Sequence, residues 1–437
     1  MKTKQLFCLA FSLCSLLISP SGEAAKLISP PPVELTESLE AAPLSLSPLL
    51  YWSKDINAVS YEVEISTEIP KKLSPKRIYR KAVFRDKYVY QNYYNPPIAD
   101  YIKLAPGEVK QLFWRVRSLD VNKKPISPFS KTAVIFVSSA VPPMNAPVPL
   151  HPTDDDKNEV QLLYPVYCWT KEHDSNTFEV ELYDSLPNEK SEPIWRGTST
   201  YQERYDDYPR TKDTPFYWRV RAFDKNGKQL GNWSKFTAFS FQVKQVETAV
   251  FGDSVSHGGG HLSFGPNHAE LSWLSYLNFP ATNLSQSGNL TRDMVERFEK
   301  DVLPFAPKFL LIMGGTNDIR NNEVPVEETI KNLSILKEKC LKNNIRPIFL
   351  SLPPINPQNT KKVFNEVPVK NWQEKLQKCN AFIRTMPYYI DTATYFAPIC
   401  KKGLLPTKYA LDGLHPDANG KALIAKSVND NWLRVTK

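Results

Sequence analysis

The stretch Ala249-Val250-Phe251-Gly252-Asp253-Ser254 is a short apolar run that ends in a glycine, a carboxylate and a hydroxyl. Runs of the same kind recur at Phe309 to Met313 and Ile348 to Leu352, again with polar or glycine ends. Between them lie helical periods. Leu271, Leu274 and Leu277 form one stripe, and Ile424, Val428 and Trp432 form another. Buried short strands alternating with amphipathic helices predict a parallel sheet with helices on both faces. The strands are expected near 248–252, 281–284, 308–313, 346–351 and 388–391.

Polar residues gather where those strands end. The first strand runs into Gly252-Asp253-Ser254, and the second into Asn283-Leu284-Ser285-Gln286-Ser287-Gly288. The third runs into Gly314-Gly315-Thr316-Asn317-Asp318, and Asp412-Gly413-Leu414-His415-Pro416 stands just before the last helix. In open parallel sheets, sites form outside the carboxyl ends of the strands. A serine hydroxyl attacks only when a neighbouring base takes its proton, which neutral imidazole does near pH 7. Asp412, three residues before His415, can reach the same imidazole and fix its tautomer. Gly288 lets backbone approach closely, and the Asn317 amide can donate to a developing oxyanion. No Gly-x-Ser-x-Gly elbow surrounds Ser254, which argues against a lipase-type α/β-hydrolase. Taken singly, Ser254 reads as a helix cap and Asn317 as a turn residue. Asp253 reads as a residue that holds its loop. The four blocks in this order make the stronger statement.

These blocks make residues 246–437 resemble the SGNH or GDSL hydrolases, esterases of a flavodoxin-like, three-layer α/β fold. The resemblance implies Ser254 as nucleophile, His415 as general base and Asp412 as the residue orienting it. It implies an oxyanion hole from the Ser254 N–H, the Gly288 N–H and the Asn317 amide, and no cofactor or metal. Ser285 stands where many relatives carry a further glycine. His257, His261 and His268 flank Gly258-Gly259-Gly260. A glycine-rich rim to the pocket is favoured there over a metal site. The segments Ser263 to Pro266, Pro353 to Pro357 and Lys408 to Leu411 are expected to rim the pocket too.

An internal repeat organises the middle of the chain. Leu46 to Asp55 matches Leu163 to Glu172, with Pro48 opposite Pro165 and Trp52 opposite Trp169. Tyr61-Glu-Val-Glu64 matches Phe178-Glu-Val-Glu181, and Phe113-Trp-Arg-Val-Arg117 matches Tyr217-Trp-Arg-Val-Arg221. Phe129-Ser-Lys131 matches Trp233-Ser-Lys235. Trp218, Val220 and Ala222 fall on one face of a period-two strand. The pattern is similar to fibronectin type III modules and implies two all-β immunoglobulin-like sandwiches, over 25–141 and 142–245. Pro142, Pro143, Pro147 and Pro149 make a stiff linker. Asp154 to Asp156 reads as a solvated turn, because the spaced ligands of a calcium loop are missing.

At the N-terminus, Lys2 and Lys4 precede the apolar run Leu6 to Ile18 and the small residues up to Ala24. This is the order of a secretory signal peptide over 1–24. The chain is therefore expected to be secreted, periplasmic or cell-surface. Six cysteines in 437 residues are too few for a disulfide scaffold. Cys379 with Cys400 is the one candidate bridge, and buried free thiols are the favoured alternative. The net charge of +9 is scattered, which argues against nucleic acid as a partner. The expected substrate is a short-acyl ester, extending to O-deacetylation of an envelope or extracellular polysaccharide. A lipid esterase or lysophospholipase is the rival enzyme, and a surface glycan-binding protein with an idle hydrolase domain the rival of another class.

Overall fold

The computed structural model describes residues 27–437 except 37, 56, 70–73, 143–145, 154–160, 171–174 and 259–271. The expected signal peptide, the Asp154 to Asp156 turn, His261, His268 and the Ser263 to Pro266 rim lie outside the described residues.

Residues before 246 form antiparallel sheets. In the first region the strands run Phe84–Val89, Ser60–Ser66, Val109–Leu119, Ala133–Ser138 in spatial order. In the second, Trp195–Ser199, Thr177–Tyr183 and Phe216–Phe223 lie side by side. A further sheet there joins Glu203–Tyr205, Val166–Trp169 and Pro149–His151. Each region closes over its own tryptophan-rich core, around Trp52 and Trp114 in one and Trp169 and Trp218 in the other.

The sequence repeat reappears in three dimensions. Glu62 and Glu64 face Arg117 and Arg115 across the strand pair, and Glu179 and Glu181 face Arg221 and Arg219. Each facing pair is ion-paired. The two arginines of each copy stack on one ring, Phe129 in the first and Trp233 in the second. Next to that ring, Ser130 and Ser234 accept the backbone N–H of Val116 and Val220, both at 3.0 Å. The other strand face carries Trp218, Val220 and Ala222, all fully buried, as the period of two requires.

From residue 248 the sheet is parallel. Its strands are β1 (Thr248–Gly252), β2 (Thr282–Asn283), β3 (Phe309–Met313), β4 (Arg346–Leu350) and β5 (Tyr389–Ile390), each inside its expected range. Their spatial order is β2-β1-β3-β4-β5, the doubly wound order with its switch point between β1 and β3. All five residues of β1 and of β3 are buried, which explains why these strands read as unbroken apolar runs. The helices are α1 (Ser254–His257), α2 (Thr291–Asp301), α3 (Thr316–Arg320), α4 (Val326–Lys342), α5 (Pro357–Phe364), α6 (Trp372–Ile383), α7 (Thr392–Phe396) and α8 (Ala418–Thr436). Helices α2, α4 and α6 pack in one series, and α7 packs on α8. Ile424 and Val428 of α8 are fully buried, as their stripe predicts.

The Leu274 and Leu277 stripe differs from expectation. Trp273–Tyr276 is a 3₁₀ turn capped by Ser272, and Leu277 is already extended; Leu271 lies outside the described residues. A spacing of three eclipses side chains on a 3₁₀ turn, whereas an α-helical stripe needs four as well as three.

The core of the parallel-sheet region takes in three residues from before 246, namely Leu163, Tyr164 and Phe241. Leu162 pairs in parallel with Asn283, and the Leu163 N–H reaches the Asn283 carbonyl at 3.2 Å. A segment of the second all-β region thus covers the open edge of β2, where unpaired backbone would otherwise face solvent. Cys168, Cys340, Cys379 and Cys400 are free thiols, and burial pushes those of Cys340 and Cys379 up to about 12. No helix among the described residues is long and apolar enough to cross a membrane.

Candidate active site

Ser254 opens α1 directly after β1. Asp253 caps that helix, its Oδ1 accepting the Val255 N–H at 3.0 Å. The serine is therefore presented at the carboxyl end of β1, an interior strand of the sheet. Asp253 is buried, and burial pushes its carboxyl up to about 6. Through that cap its carboxyl is engaged at the N-terminus of α1.

His415 and Asp412 arrive from the loop before α8. His415 Nε2 lies 2.9 Å from Ser254 Oγ, and Nδ1 lies 2.8 Å from Asp412 Oδ2. A carboxylate only accepts, so Nδ1 carries the proton and Nε2 presents a lone pair to the serine. Asp412 Oδ1 accepts the N–H groups of Leu414 and His415, both at 2.8 Å. Burial works against the Asp412 anion, but His415 and those two N–H groups outweigh it and hold the carboxyl below its usual range. The loop's shape depends on Gly413, at φ +76°, whose carbonyl accepts the Asn356 N–H at 2.7 Å. A Cβ there would stand 2.4 Å from the Asn356 carbonyl oxygen. Phe364 of α5 meets the His415 ring edge-on.

The two remaining blocks, those of Gly288 and Asn317, are linked to each other. Gly288 adopts φ +85°, a conformation glycine takes at no steric cost. Asn317, in the first turn of α3, donates from Nδ2 to the Asn289 carbonyl at 2.9 Å and accepts from Arg320 at 3.2 Å. Both ends of its amide are thus oriented, and one N–H of the amide is left for another acceptor. Asp318 ties α3 to α2, accepting the Thr291 N–H at 3.0 Å and the Thr291 hydroxyl. Ser285 is fully buried, its N–H donating to Asn283 Oδ1 at 3.1 Å. The structure therefore brings Ser254, His415 and Asp412 into one hydrogen-bonded line, while Asn317 in α3 is tied to Asn289, the residue after Gly288.

Two residues here have roles that the sequence pattern did not reveal. Arg297 of α2 is buried and donates to the carbonyls of Gly252 and Leu284, to Asn289 Oδ1 and to Asp301. It binds the ends of the first two loops together, and only its i,i+4 spacing to Asp301 was visible beforehand. His257 is not part of a solvent-facing rim. Its ring is buried between Tyr164 and Ser287, and burial brings its imidazole down to about 4. Among the described residues no group of three metal-ligating side chains occurs.

Comparison with known proteins places this half of the chain. Residues 250–423 match the model of the GDSL-like lipase/acylhydrolase family. An acetylxylan esterase of Geobacillus stearothermophilus is 26% identical over 176 residues, 36% of this chain and 76% of that protein. An uncharacterised lipoprotein, YqeF of Bacillus subtilis (strain 168), is 30% identical over 126 residues, 26% of this chain. The match spans about half the length of that lipoprotein, 51%. Among solved structures, the lipase/acylhydrolase from Enterococcus faecalis is 20% identical, with a TM-score of 0.34, over 43% of this chain and 96% of that one. Residues 250–423 thus form a GDSL-like lipase/acylhydrolase domain, an ester-bond hydrolase domain.

Proposed function

We propose that the protein is an exported serine esterase that removes short acyl groups, and that its substrate is an O-acetylated polysaccharide. The observation that carries the chemistry is the line from Ser254 Oγ through His415 to Asp412, at 2.9 and 2.8 Å.

In this reading Ser254 Oγ attacks the ester carbonyl carbon while its proton passes to His415 Nε2. Asp412 stabilises the imidazolium through Nδ1–H without taking the proton. Negative charge gathers on the former carbonyl oxygen, where the Ser254 N–H, the Gly288 N–H and the Asn317 amide donate to it. Collapse breaks the ester C–O bond, and His415 returns the proton to the leaving alcohol. Water then attacks the acyl-serine, giving up a proton to His415, and the acid leaves as Ser254 regains its hydrogen. All donors are neutral N–H groups, so the mechanism calls on no cofactor.

The short-acyl assignment is supported by the similarity to an acetylxylan esterase. The all-β repeats are read as two immunoglobulin-like sandwiches that space the enzyme along a polymer. Export rests on the signal-like residues 1–24. A p-nitrophenyl ester series should show highest turnover with acetate and propionate, and acetate should be released from acetylated xylan, pectin or peptidoglycan. Preference for chains of eight carbons or more, without acetate release, would replace this substrate with a lipid.

A further inference from the structure

We propose that His257 is a positioning residue, a strut through which the second all-β region sets the loop bearing Gly288. The inference rests on Gly288 acting as an oxyanion donor, as proposed above.

His257 ends α1, three residues after Ser254. Its Nε2 lies 2.8 Å from the backbone carbonyl of Tyr164. A carbonyl only accepts, so Nε2 carries the hydrogen and Nδ1 carries a lone pair. That lone pair faces Ser287, with the backbone N–H at 3.2 Å and Oγ at 2.8 Å. The ring therefore bridges two backbones from different regions, and one end of the bridge is the residue just before Gly288. Tyr205, also of the second all-β region, meets the His257 ring at 5.9 Å in a T-shaped contact. Burial keeps the imidazole uncharged at neutral pH, which preserves the lone pair the strut needs.

The rest of the 283–289 loop is held from the same side. Leu162 and Leu163 pair with Asn283 at its start. The Tyr164 hydroxyl donates to Asp301 at 2.6 Å, and Asp301 holds Arg297, which reaches Leu284 and Asn289. A phenylalanine at 257 could fill the space but could not fix the loop in direction. A buried polar ring satisfied at both nitrogens specifies one arrangement. The catalytic unit therefore includes residues 162–164 and 205.

The test uses the full chain. His257→Phe and Tyr205→Ala are compared with wild type on p-nitrophenyl acetate, with active sites counted by titration with an organophosphonate. His257→Phe should lower kcat per titrated site about tenfold, the loss expected of one to two hydrogen bonds that align a donor. KM should stay within about twofold, and the rate of phosphonylation should fall in parallel, because the phosphonyl oxygen occupies the same donors. Tyr205→Ala should lower kcat about threefold alone and add nothing to His257→Phe, since it acts through that ring. If both variants keep wild-type kcat per titrated site and lose only thermal stability, the strut is a packing element and the inference is overturned. If His257→Phe is insoluble, Tyr205→Ala decides by the same criterion. Ser254→Ala is run alongside: activity in that variant overturns the serine reading, whereas its inactivity leaves the strut to be judged on its own.

Discussion

Replacing Asp412 by Asn should cost about four orders of magnitude in kcat while leaving the fold intact. The carboxylate makes three hydrogen bonds, all as acceptor: two from the N–H groups of Leu414 and His415 to Oδ1, and one from His415 Nδ1 to Oδ2. An amide has one oxygen. Two fixed backbone donors claim that oxygen, so the amide NH₂ turns toward His415. Nδ1 must then accept, and the ring hydrogen moves to Nε2, where it faces the Ser254 hydroxyl at 2.9 Å. Such a ring cannot accept the serine proton. A wrong tautomer in a triad of this kind costs about 10⁴ in kcat, equivalent to about 5.5 kcal/mol of transition-state stabilisation. The assay is steady-state hydrolysis of p-nitrophenyl acetate, with circular dichroism confirming the fold. KM should change little. A variant within tenfold of wild type would refute the argument, because it would mean that neither the charge nor the tautomer at His415 matters.

Ser254→Ala should abolish ester hydrolysis and organophosphate labelling together; retention of either would remove Ser254 from the nucleophile role. Asn317→Ala should lose roughly 10²–10³ in kcat, the usual cost of one oxyanion donor, and a change confined to KM would make Asn317 a substrate contact instead. Asp253 is raised in the folded state to about 6 from 3.8, so it binds a proton in the fold before the unfolded chain does. Its stabilising contribution is therefore present below about pH 4 and is lost as pH rises through 6. Asp253→Asn should remove that slope: relative to the variant, wild type should lose about 2 kcal/mol between pH 4 and 6.5 in denaturant melts, and parallel curves would refute it. Gly413→Ala should lower both activity and melting temperature, since its Cβ meets the Asn356 carbonyl, and an unchanged melting temperature would show that the loop can relax.

Local pattern was enough for much of this molecule. Strands β1, β3 and β4 were legible because strands buried on both faces must be apolar nearly throughout and must stop at polar or glycine residues. The Glu-x-Glu and Arg-x-Arg pairs of the two repeats were legible because period two places both charges of each strand on one face. Ser254, Asp412, His415, Gly288 and Asn317 could be named because their blocks resemble those of the SGNH or GDSL hydrolases, and their places after a strand or just before the last helix agree with that resemblance. What the sequence could not supply were the contacts across great chain distance. His257 lies 93 residues from the Tyr164 carbonyl it donates to, and Tyr164 lies 137 residues from Asp301. A histidine beside three glycines reads as a loop rim; only the docking of the second all-β region buries it. Likewise Arg297 looks like any charged residue of a surface helix until the loops after β1 and β2 converge on it. Short-range order follows from periodicity and turn chemistry, which each segment carries in itself. The alignment of the site depends on packing between regions, and that is written in no single segment.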